Sequence, residues 1–423
     1  MKPLSLKITI LLLSSINLSW SQSDPQGEWF TRAPMPTPRQ GMPLAALNGK
    51  IYAPGGLMFG QAITNIMEVF DPTTNTWSTA APMPQLLTNH TCVAANGKLY
   101  VMGGFLVQGL RLATNQVFEY DPQSNTWQRK GNMAILRGAH VAVEFDGKIF
   151  VIGGSNSVAG VLSTNEMYDP ITDSWTSRAP MPTPRENAAA VVIDTLVYVV
   201  GGLAFDIFGF TITFNTLEAY SPTTDAWFTQ ADLPTARGAL AAAALNGRLY
   251  AIGGAVPDLY SLNEEYDPVT NSWREVAPML TPRHSMAAAA VGHTIFVIGG
   301  NPTLSGSVNT GANEGFMITP ITGISEEPSI PLKFALYQNY PNPFNPTTLI
   351  RYDLPKTSHV ILKVYNILGE EVRTLLNETQ SAGTKSVIWD ARNNFGQGVS
   401  SGIYVYTLQT GNLIQSKKML YMK

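Results

Sequence analysis

A pair of adjacent glycines recurs along most of this chain, always at the same distance from a tryptophan. Each pair begins 26 residues after a tryptophan, and successive pairs are 48, 50, 48, 52 and 46 residues apart. The tryptophans are Trp29, Trp77, Trp127, Trp175, Trp227 and Trp273. The pairs are Gly55-Gly56, Gly103-Gly104, Gly153-Gly154, Gly201-Gly202, Gly253-Gly254 and Gly299-Gly300. A fixed period of this length indicates an array of similar structural units.

The residues around each glycine pair have the pattern of short β-strands. An apolar strand precedes the glycines, as in KIYAPGG and RLYAIGG, and a second strand ends at a proline five residues before the next tryptophan. These repeats resemble the kelch family over about residues 27–320. The resemblance implies an all-β fold, a six-bladed kelch β-propeller in which each repeat forms one four-stranded blade.

The two ends of the repeat array predict how the ring closes. After Gly300 a third strand, NEGFMITP, is followed by ITGISEEPS with no tryptophan, so the sixth blade lacks an outer strand. Residues 27–36 form an isolated segment of the matching kind at the other end. We therefore expect a propeller over residues 22–320 in which residues 27–36 complete blade six and remove an open sheet edge.

The repeats also predict how the blades are packed. Alanine-rich strands such as LAAAAL suit the crowded propeller axis, and Asn48-Gly49 and Asn246-Gly247 are typical of type I′ turns. Glycine pairs leave space for a bulky neighbour. We expect that neighbour to be the repeated tryptophan, together with the Tyr or Phe before the proline.

One face of the propeller is expected to carry the function. The segment between each glycine pair and the next proline varies from 15 to 21 residues, whereas the other segments are constant. Strand parity places these loops beside the linkers between blades. Binding residues commonly lie on loops held by a rigid scaffold.

An arginine recurs on this face, ten residues after five of the six tryptophans. The candidate ligand-binding residues are Arg39, Arg137, Arg185, Arg237 and Arg283, with Leu87 in the second repeat and His90, His140, His284, Asn89, Asn187 and Glu186 nearby. Guanidinium groups around a funnel could bind ligand carboxylates. Alternatively, a repeated arginine could bond the loop carbonyls of its own blade.

The loop of the fourth blade has an unusual composition, FGFTITFNTLEAY. Its alternating pattern favours either a lengthened third strand or an exposed apolar ridge that contacts a partner. Phe205, Asp206 and Phe208 belong to the second hypothesis.

Several other functions find little support in the sequence. A net charge of −3 gives no basic patch for nucleic acid, and we predict no metal or cofactor. Galactose oxidase, a kelch relative, needs two His and two Tyr around copper with one Tyr linked to Cys. The single Cys92 has no tyrosine next to it in sequence. Sialic acid mutarotase is a second kelch relative. The alternative to a binding module is therefore a carbohydrate-modifying enzyme of the sialic acid mutarotase or galactose oxidase type, with its site in the propeller funnel.

The first 21 residues have the pattern of a signal peptide. Lys2 and Lys7 precede the apolar run ITILLL, and Ser19 and Ser21 suit a cleavage site after Ser21. The apolar run is too short for a transmembrane segment. Export across an inner membrane is expected.

The chain after a linker at residues 321–333 is organised differently. Short alternating strands between Gly and Asn turns over residues 334–423 predict a small immunoglobulin-like β-sandwich. The stretches NYPNPFNPT, VYNILGEEV and SGIYVY and the terminal KKM resemble the type A C-terminal sorting domain of the type IX secretion system. This resemblance implies contact with the type IX machinery and delivery to the cell surface or medium. The sequence thus predicts an exported module that binds a protein or glycan.

Overall fold

The computed structural model describes residues 27–318 except 108, 109, 207, 306 and 307, and residues 333–422 except 340, 341, 343, 345 and 346. The predicted signal peptide, residues 1–21, and nearly all of the predicted linker, residues 321–333, lie outside the described residues. The chain separates into two units, Met1–Pro320 and Ile321–Lys423.

The first unit is a six-bladed propeller of four-stranded antiparallel sheets. Its strands up to the end of blade three are β1 (Glu28–Thr31), β2 (Ala45–Leu47), β3 (Lys50–Pro54), β4 (Met67–Asp71), β5 (Thr76–Ala80), β6 (Thr91–Ala95), β7 (Lys98–Met102), β8 (Phe105–Val107), β9 (Leu112–Ala113), β10 (Val117–Asp121), β11 (Thr126–Lys130), β12 (Val141–Phe145), β13 (Lys148–Ile152), β14 (Ser155–Asn156), β15 (Gly160–Val161), β16 (Asn165–Asp169) and β17 (Ser174–Arg178).

The remaining strands of this unit are β18 (Ala189–Ile193), β19 (Leu196–Val200), β20 (Leu203–Phe205), β21 (Thr211–Thr213), β22 (Leu217–Ser221), β23 (Ala226–Thr229), β24 (Ala241–Leu245), β25 (Arg248–Ile252), β26 (Asn263–Asp267), β27 (Ser272–Glu275), β28 (Ala287–Val291), β29 (Thr294–Ile298) and β30 (Asn313–Met317). A short 3-10 helix, Phe59–Gln61, lies in the loop of blade one. The pairs β8–β9, β14–β15 and β20–β21 form separate hairpins in the loops of blades two, three and four.

The sixth blade takes its outer strand from the beginning of the propeller. Its sheet has the order β1-β30-β29-β28, and Trp29 of β1 lies opposite Phe316 of β30. Trp29 Nε1 donates a hydrogen bond to the Ala277 carbonyl at 2.7 Å, and the Trp29 and Phe316 rings are 5.0 Å apart. Pairing of β1 with β30 leaves the third strand of blade six covered, as in the other five blades.

The short turns between the first two strands follow the predicted chemistry. Asn48 and Gly49 have φ values of 52° and 75°, as a type I′ turn requires at both central residues. Asp194 has the same left-handed φ at the first turn position of blade four, at 53°.

Each repeated tryptophan ties its blade to the preceding one. The indole nitrogens of Trp77, Trp127, Trp175, Trp227 and Trp273 donate to the carbonyls of Ala33, Ala81, Gly131, Ala179 and Ala231 at 2.8–2.9 Å. The ring of each tryptophan also packs on the Tyr or Phe of the neighbouring strand in its own blade, with centroids 4.8–5.1 Å apart. The tryptophans therefore stabilise both a blade and the contact between blades.

The glycine pairs make room for a different neighbour than the sequence predicted. A Cβ on Gly103 would meet the Arg137 carbonyl at 2.6 Å and the His140 ring at 2.8 Å, both from the next blade. The Gly104 amide also donates to the Arg137 carbonyl at 2.8 Å. The expected contact with Trp and Tyr is therefore wrong, because the glycines allow the linker of the next blade to approach the backbone closely.

The second unit is a small immunoglobulin-like sandwich of two antiparallel sheets. Their orders are β31-β32-β35 and β34-β33-β36-β37. The strands are β31 (Ala335–Leu336), β32 (Thr348–Leu354), β33 (Ser358–Tyr365), β34 (Glu371–Gln380), β35 (Gly383–Trp389), β36 (Gly402–Thr410) and β37 (Leu413–Tyr421). Trp389, Tyr352 and Tyr406 are fully buried in the core between the sheets. The unit has its own core, as an independently folding domain requires.

Candidate functional site

The repeated arginines lie inside the blades. Arg39, Arg137, Arg185, Arg237 and Arg283 are each at most 1% exposed. Each forms an ion pair with a glutamate on the third strand of its own blade, the partners being Glu68, Glu166, Glu218, Glu264 and Glu314 in that order. The prediction that these arginines bind ligand carboxylates is therefore wrong, because each guanidinium group is buried and already has an internal carboxylate partner.

Arg237 shows how such a guanidinium is held. It donates to the carbonyls of Gly253, Thr235 and Ala251 at 2.7, 2.9 and 3.0 Å, and to Glu264. Burial lowers the pKa of Arg237 and the Glu264 charge opposes this change. The arginine therefore fastens the linker that enters the blade to its second and third strands, which is the structural alternative considered from the sequence.

Blade two replaces both members of the pair. Leu87 takes the arginine position, and Phe118, two residues before Tyr120, takes the glutamate position. Both side chains are buried. The sequence analysis missed the glutamates, although each lies two residues before the repeated Tyr or Phe. Because blade two lacks both the arginine and the glutamate, this joint replacement could have shown that the two residues form a pair.

Six residues with left-handed backbone form a hydrogen-bonded ring at the centre of the propeller. These inner-ring residues are Gly41, Asn89, Ala139, Asn187, Ala239 and Ser285, with φ between 50° and 61°. The amide of each donates to the carbonyl of the member in the preceding blade at 2.7–2.9 Å, and Gly41 donates to Ser285. Their side chains differ too much for the sequence to have shown the pattern. A cavity of about 200 Å³ is lined by this inner ring and by the first residues of the inner strands.

Two histidines and the cysteine lie beside this cavity. His90 and His140 are buried, and the His140 Nε2 is 3.1 Å from the Thr91 hydroxyl. Burial lowers the pKa of His90 to about 3 and holds the pKa of His140 well below its usual value, with positive Arg39 and Arg137 acting in the same direction. Burial also raises the pKa of the Cys92 thiol. Within the described part of the chain, no group of three or more His, Cys, Asp or Glu side chains could hold a metal ion.

The variable loops lie next to the inner ring, and we call their side of the propeller the loop face. In every blade, a residue of the entering linker forms a β-bridge with the residue that directly follows the glycine pair. The bridges are Gln40–Leu57, Thr88–Phe105, Gly138–Ser155, Glu186–Leu203, Gly238–Ala255 and His284–Asn301. These bridges fix the base of every loop to the linker that enters the same blade. The loop tips carry exposed apolar side chains, which are Phe59, Leu110, Val158, Phe208, Phe210 and Leu304.

The three residues predicted in the blade-four loop lie together on the β20–β21 hairpin. Phe208 is 78% exposed and Phe205 is 42% exposed. The carboxylate of Asp206 accepts hydrogen bonds from the amides of Phe208 and Phe210 at 2.9 and 2.8 Å. Asp206 therefore shapes the turn that presents the phenylalanines. The third strand begins only at Leu217, so the lengthened-strand interpretation is wrong.

A polar cluster joins the loops of blades two and three to the linker that enters blade four. Arg111, beside β9, forms an ion pair with Glu186 and donates to the hydroxyl of Ser155. Ser155 also donates to Glu186. Glu186 is 2% exposed, whereas the Arg111 side chain is 32% exposed. Arg111 and Ser155 were not found from the sequence because neither recurs and they meet Glu186 only across blades.

Comparison with known proteins agrees with this architecture. Residues 89–300 match the model of the KLHDC2/KLHL20/DRC7 Kelch-repeats domain, and residues 38–84 match the Kelch motif. The chain belongs to the kelch-repeat family. In this kelch protein, residues 345–413 match the FlgD Ig-like domain.

Curated relatives share only part of their length with this kelch protein. It is 38% identical over 96 residues to Kelch-like protein 28 of Homo sapiens, 22% of this chain and 17% of that protein. It is 36% identical over 92 residues to Kelch-like protein terF of Aspergillus terreus, covering 21% and 20%. The match thus spans about a fifth or less of the length of these relatives.

A solved structure described as "Structure of YjhT" shares the fold. The similarity has a TM-score of 0.57 at 18% identity and covers 66% of this chain and 95% of the other. No helix among the residues that the structure describes is long and apolar enough to cross a membrane.

Proposed function

We propose that this kelch protein is an exported binding module that holds a polypeptide partner on its loop face. The observation that carries the proposal is the set of exposed apolar side chains at the loop tips of five blades, with Phe208 and Phe210 adjacent in blade four. Apolar side chains clustered around a polar centre are typical of protein interaction surfaces. The rigid bridges at the loop bases would hold these tips in place, which lowers the entropy cost of binding.

Site-specific crosslinking in the full chain tests this proposal. A photoreactive phenylalanine at Phe208 should form a discrete adduct with a protein, whereas the same residue at Val269, which is exposed in a turn of the opposite face, should not. An excess of the natural chain, which lacks the photoreactive residue, should compete for the partner and reduce the adduct. The Phe208→Ser/Phe210→Ser variant should compete at least about tenfold less well. Equal adducts from both positions, or equal competition by the variant, would place the partner elsewhere. An adduct with a glycan and none with a protein would show that the ligand of the loop face is a glycan rather than a polypeptide.

A carbohydrate-modifying activity is the second candidate. The Glu186 carboxylate lies next to the inner ring with Ser155 and Arg111 in hydrogen-bond contact, an arrangement that general acid–base chemistry can use. If so, Glu186→Gln should abolish the interconversion of sugar anomers followed by NMR, while leaving the melting temperature of the full chain within a few degrees. If the natural chain does not change the rate at which the sugar anomers interconvert, the protein does not have this activity.

We also propose that the C-terminal unit is a type IX sorting domain. The sequence resemblance supports this. A pair of matching loops at one end of the sandwich is the surface that we consider for contact with the machinery. Asn366 accepts from the amides of Leu368 and Glu370, and Asn393 accepts from those of Phe395 and Gln397, so that both loops have the same geometry.

The two loops lie beside each other, and each has one exposed apolar side chain. The Asn394 amide donates to the Val372 carbonyl at 3.0 Å, which places the second loop beside the strand that follows the first. Leu368 and Phe395 are both exposed. We infer that these two side chains contact the secretion machinery.

Export from a host with the type IX apparatus tests the assignment. Deletion of residues 328–423 should retain the protein in the periplasm, and Leu368→Ser/Phe395→Ser in the full chain should reduce export. Ile388→Ser, a substitution at an exposed position of β35, is the matched control and should be exported normally. Normal export of the truncated protein would show that this unit is not a sorting signal.

A further inference from the structure

Glu186 is an isolated acidic group among the residues at the loop bases. The equivalent positions in the other blades are Gln40, Thr88, Gly138, Gly238 and His284. Its backbone is fixed by the bridge to Leu203, with an amide-to-carbonyl distance of 3.0 Å. A buried carboxylate at this depth requires a cation, because an unpaired charge away from water costs several kcal/mol.

The cation that meets this need comes from another blade. Arg111 projects from the blade-two hairpin, and its guanidinium contacts Glu186 and Ser155. The Arg111 Cζ lies 5.3 Å from the centroid of the Phe205 ring and 5.9 Å from that of Phe105. A carboxylate, a hydroxyl and two aromatic rings form a receptor suited to a planar guanidinium group.

Three of the four residues that form the receptor are more deeply buried than Arg111, which occupies it. Phe105, Ser155 and Glu186 are buried and are each held by a loop-base bridge. Arg111 lies in the turn of a hairpin with a left-handed φ of 49°, and a third of its side chain is exposed to solvent. Solvent therefore reaches the occupant from the loop face. Three walls belong to the propeller scaffold, and the fourth, the Phe205 ring, belongs to the β20–β21 hairpin.

Exposed apolar side chains lie on the loops of the blades that form this receptor, which we call the Glu186 slot. Leu110, Val158, Phe208 and Phe210 lie on the loops of the same three blades. A polypeptide that presented an arginine between apolar residues would match both the slot and its rim.

We propose that the Glu186 slot recognises an arginine side chain of the partner polypeptide, and that Arg111 fills the slot until that side chain displaces it. The proposal rests on the proposed function of the loop face. Exchange of one guanidinium for another keeps the buried carboxylate paired throughout, so displacement avoids an uncompensated charge. A neutral or acidic side chain cannot make this exchange, which gives the surface its selectivity.

Binding of N-acetyl-arginine amide to the full chain tests the slot without a partner. Arg111→Gly, chosen because glycine accepts the left-handed φ, should bind this probe at least about tenfold more tightly than the natural chain in calorimetry. N-acetyl-lysine amide should bind less tightly, and N-acetyl-citrulline amide, a neutral analogue of the same shape, should not bind. The gain should disappear in Arg111→Gly/Glu186→Gln and be absent from Arg129→Gly, a control on the exposed strand β11.

The opposite result would overturn the proposal. A guanidinium receptor is excluded if the folded Arg111→Gly variant binds the arginine probe no more tightly than the natural chain. It is also excluded if Arg111→Gly and Arg111→Gly/Glu186→Gln bind the probe equally well. If Arg111→Gly fails to fold, Arg111→Asn replaces it, because asparagine also tolerates the left-handed φ and removes the charge, and absence of any gain there has the same meaning. Because the probe needs no partner, this outcome is independent of the crosslinking result at Phe208.

Discussion

At the scale of single residues, the repeated arginine is a stabilising element and the functional candidates are residues that do not recur. Five buried Arg–Glu pairs fasten linkers to blades, and one blade does without the pair. Glu186, by contrast, occurs once and is reached by Arg111 from another blade. Residues that repeat around a propeller mainly stabilise its blades, whereas residues that depart from the repeat are the better candidates for a function of one part of the surface.

The Arg237–Glu264 pair gives a test of this stabilising role. Arg237→Leu should lower the free energy of unfolding by about 3–5 kcal/mol, because it leaves Glu264 buried and unpaired. Arg237→Leu/Glu264→Phe should recover part of this loss, because blade two carries the same combination as Leu87 and Phe118. Urea unfolding of the three proteins measures the effect. A double variant less stable than the single one would show that the apolar pair fits only blade two.

The buried histidines predict sensitivity to acid. An unfolded histidine takes up a proton below about pH 6.5, whereas folded His90 does so only near pH 3. The unfolded state thus binds more protons in this range, and the free energy of unfolding falls as the pH drops from about 6.5 towards 3.

Replacement by the residues of other blades should remove this dependence. Met42 and Leu240 occupy the positions equivalent to His90 and His140. His90→Met/His140→Leu should be more stable than the natural chain at pH 5 by about 1–2 kcal/mol per histidine, with a smaller difference at pH 7.5. Thermal melts at the two pH values provide the measurement. An equal change in stability at both would mean that packing rather than titration distinguishes the residues.

At the scale of elements, the hairpins of the loop face and the closing strand depend on contacts between distant parts of the chain. The β8–β9 and β20–β21 hairpins bring Arg111 and Phe205 together, although almost a hundred residues separate them in sequence. Strand β1 pairs with β30 across nearly the whole propeller. Such long-range pairings yield stability only once the ring is closed.

Removal of the closing strand tests its contribution. A chain that begins at residue 38 loses the β1 pairing and the indole of Trp29, which exposes the edge of β30 and one side of Phe316. We expect loss of the cooperative unfolding transition or aggregation. A chain that begins at Gln26 is the control and should melt like the full chain. A sharp transition at an unchanged temperature in the shorter protein would show that β1 is not required for closure.

At the scale of the whole molecule, the two units have separate cores and separate proposed tasks. The propeller holds its blades through the inner ring and the tryptophan hydrogen bonds, and the sandwich is built around Trp389 and Tyr406. Binding is proposed for the first unit and export for the second. Units with their own cores are expected to fold and to unfold independently.

This independence predicts the outcome of separating the units. A protein that ends at residue 320 should retain the melting transition of the propeller at a temperature within a few degrees of that in the full chain. Calorimetry of the full chain should show a second transition that the shortened protein lacks. Loss of the propeller transition on truncation would demonstrate that the sandwich stabilises it.

The sequence by itself determined the number of blades, the class of each unit and the faces of the propeller. These features follow from local regularities, because turn residues, strand alternation and a fixed tryptophan-to-glycine distance act over short separations. The segment at residues 27–36 was assigned to blade six in the same way, from a strand without a repeat of its own.

Only the tertiary structure decided which side chains are available for function. The arginines looked like a ligand-binding ring until their glutamate partners, 27 to 33 residues further on, showed that they are buried. The glycine pairs contact the linker of the next blade instead of an aromatic ring. The slot around Glu186 is assembled from three blades by residues with no common spacing. Burial and contacts between blades depend on how the ring closes, and no local pattern in a single repeat encodes them.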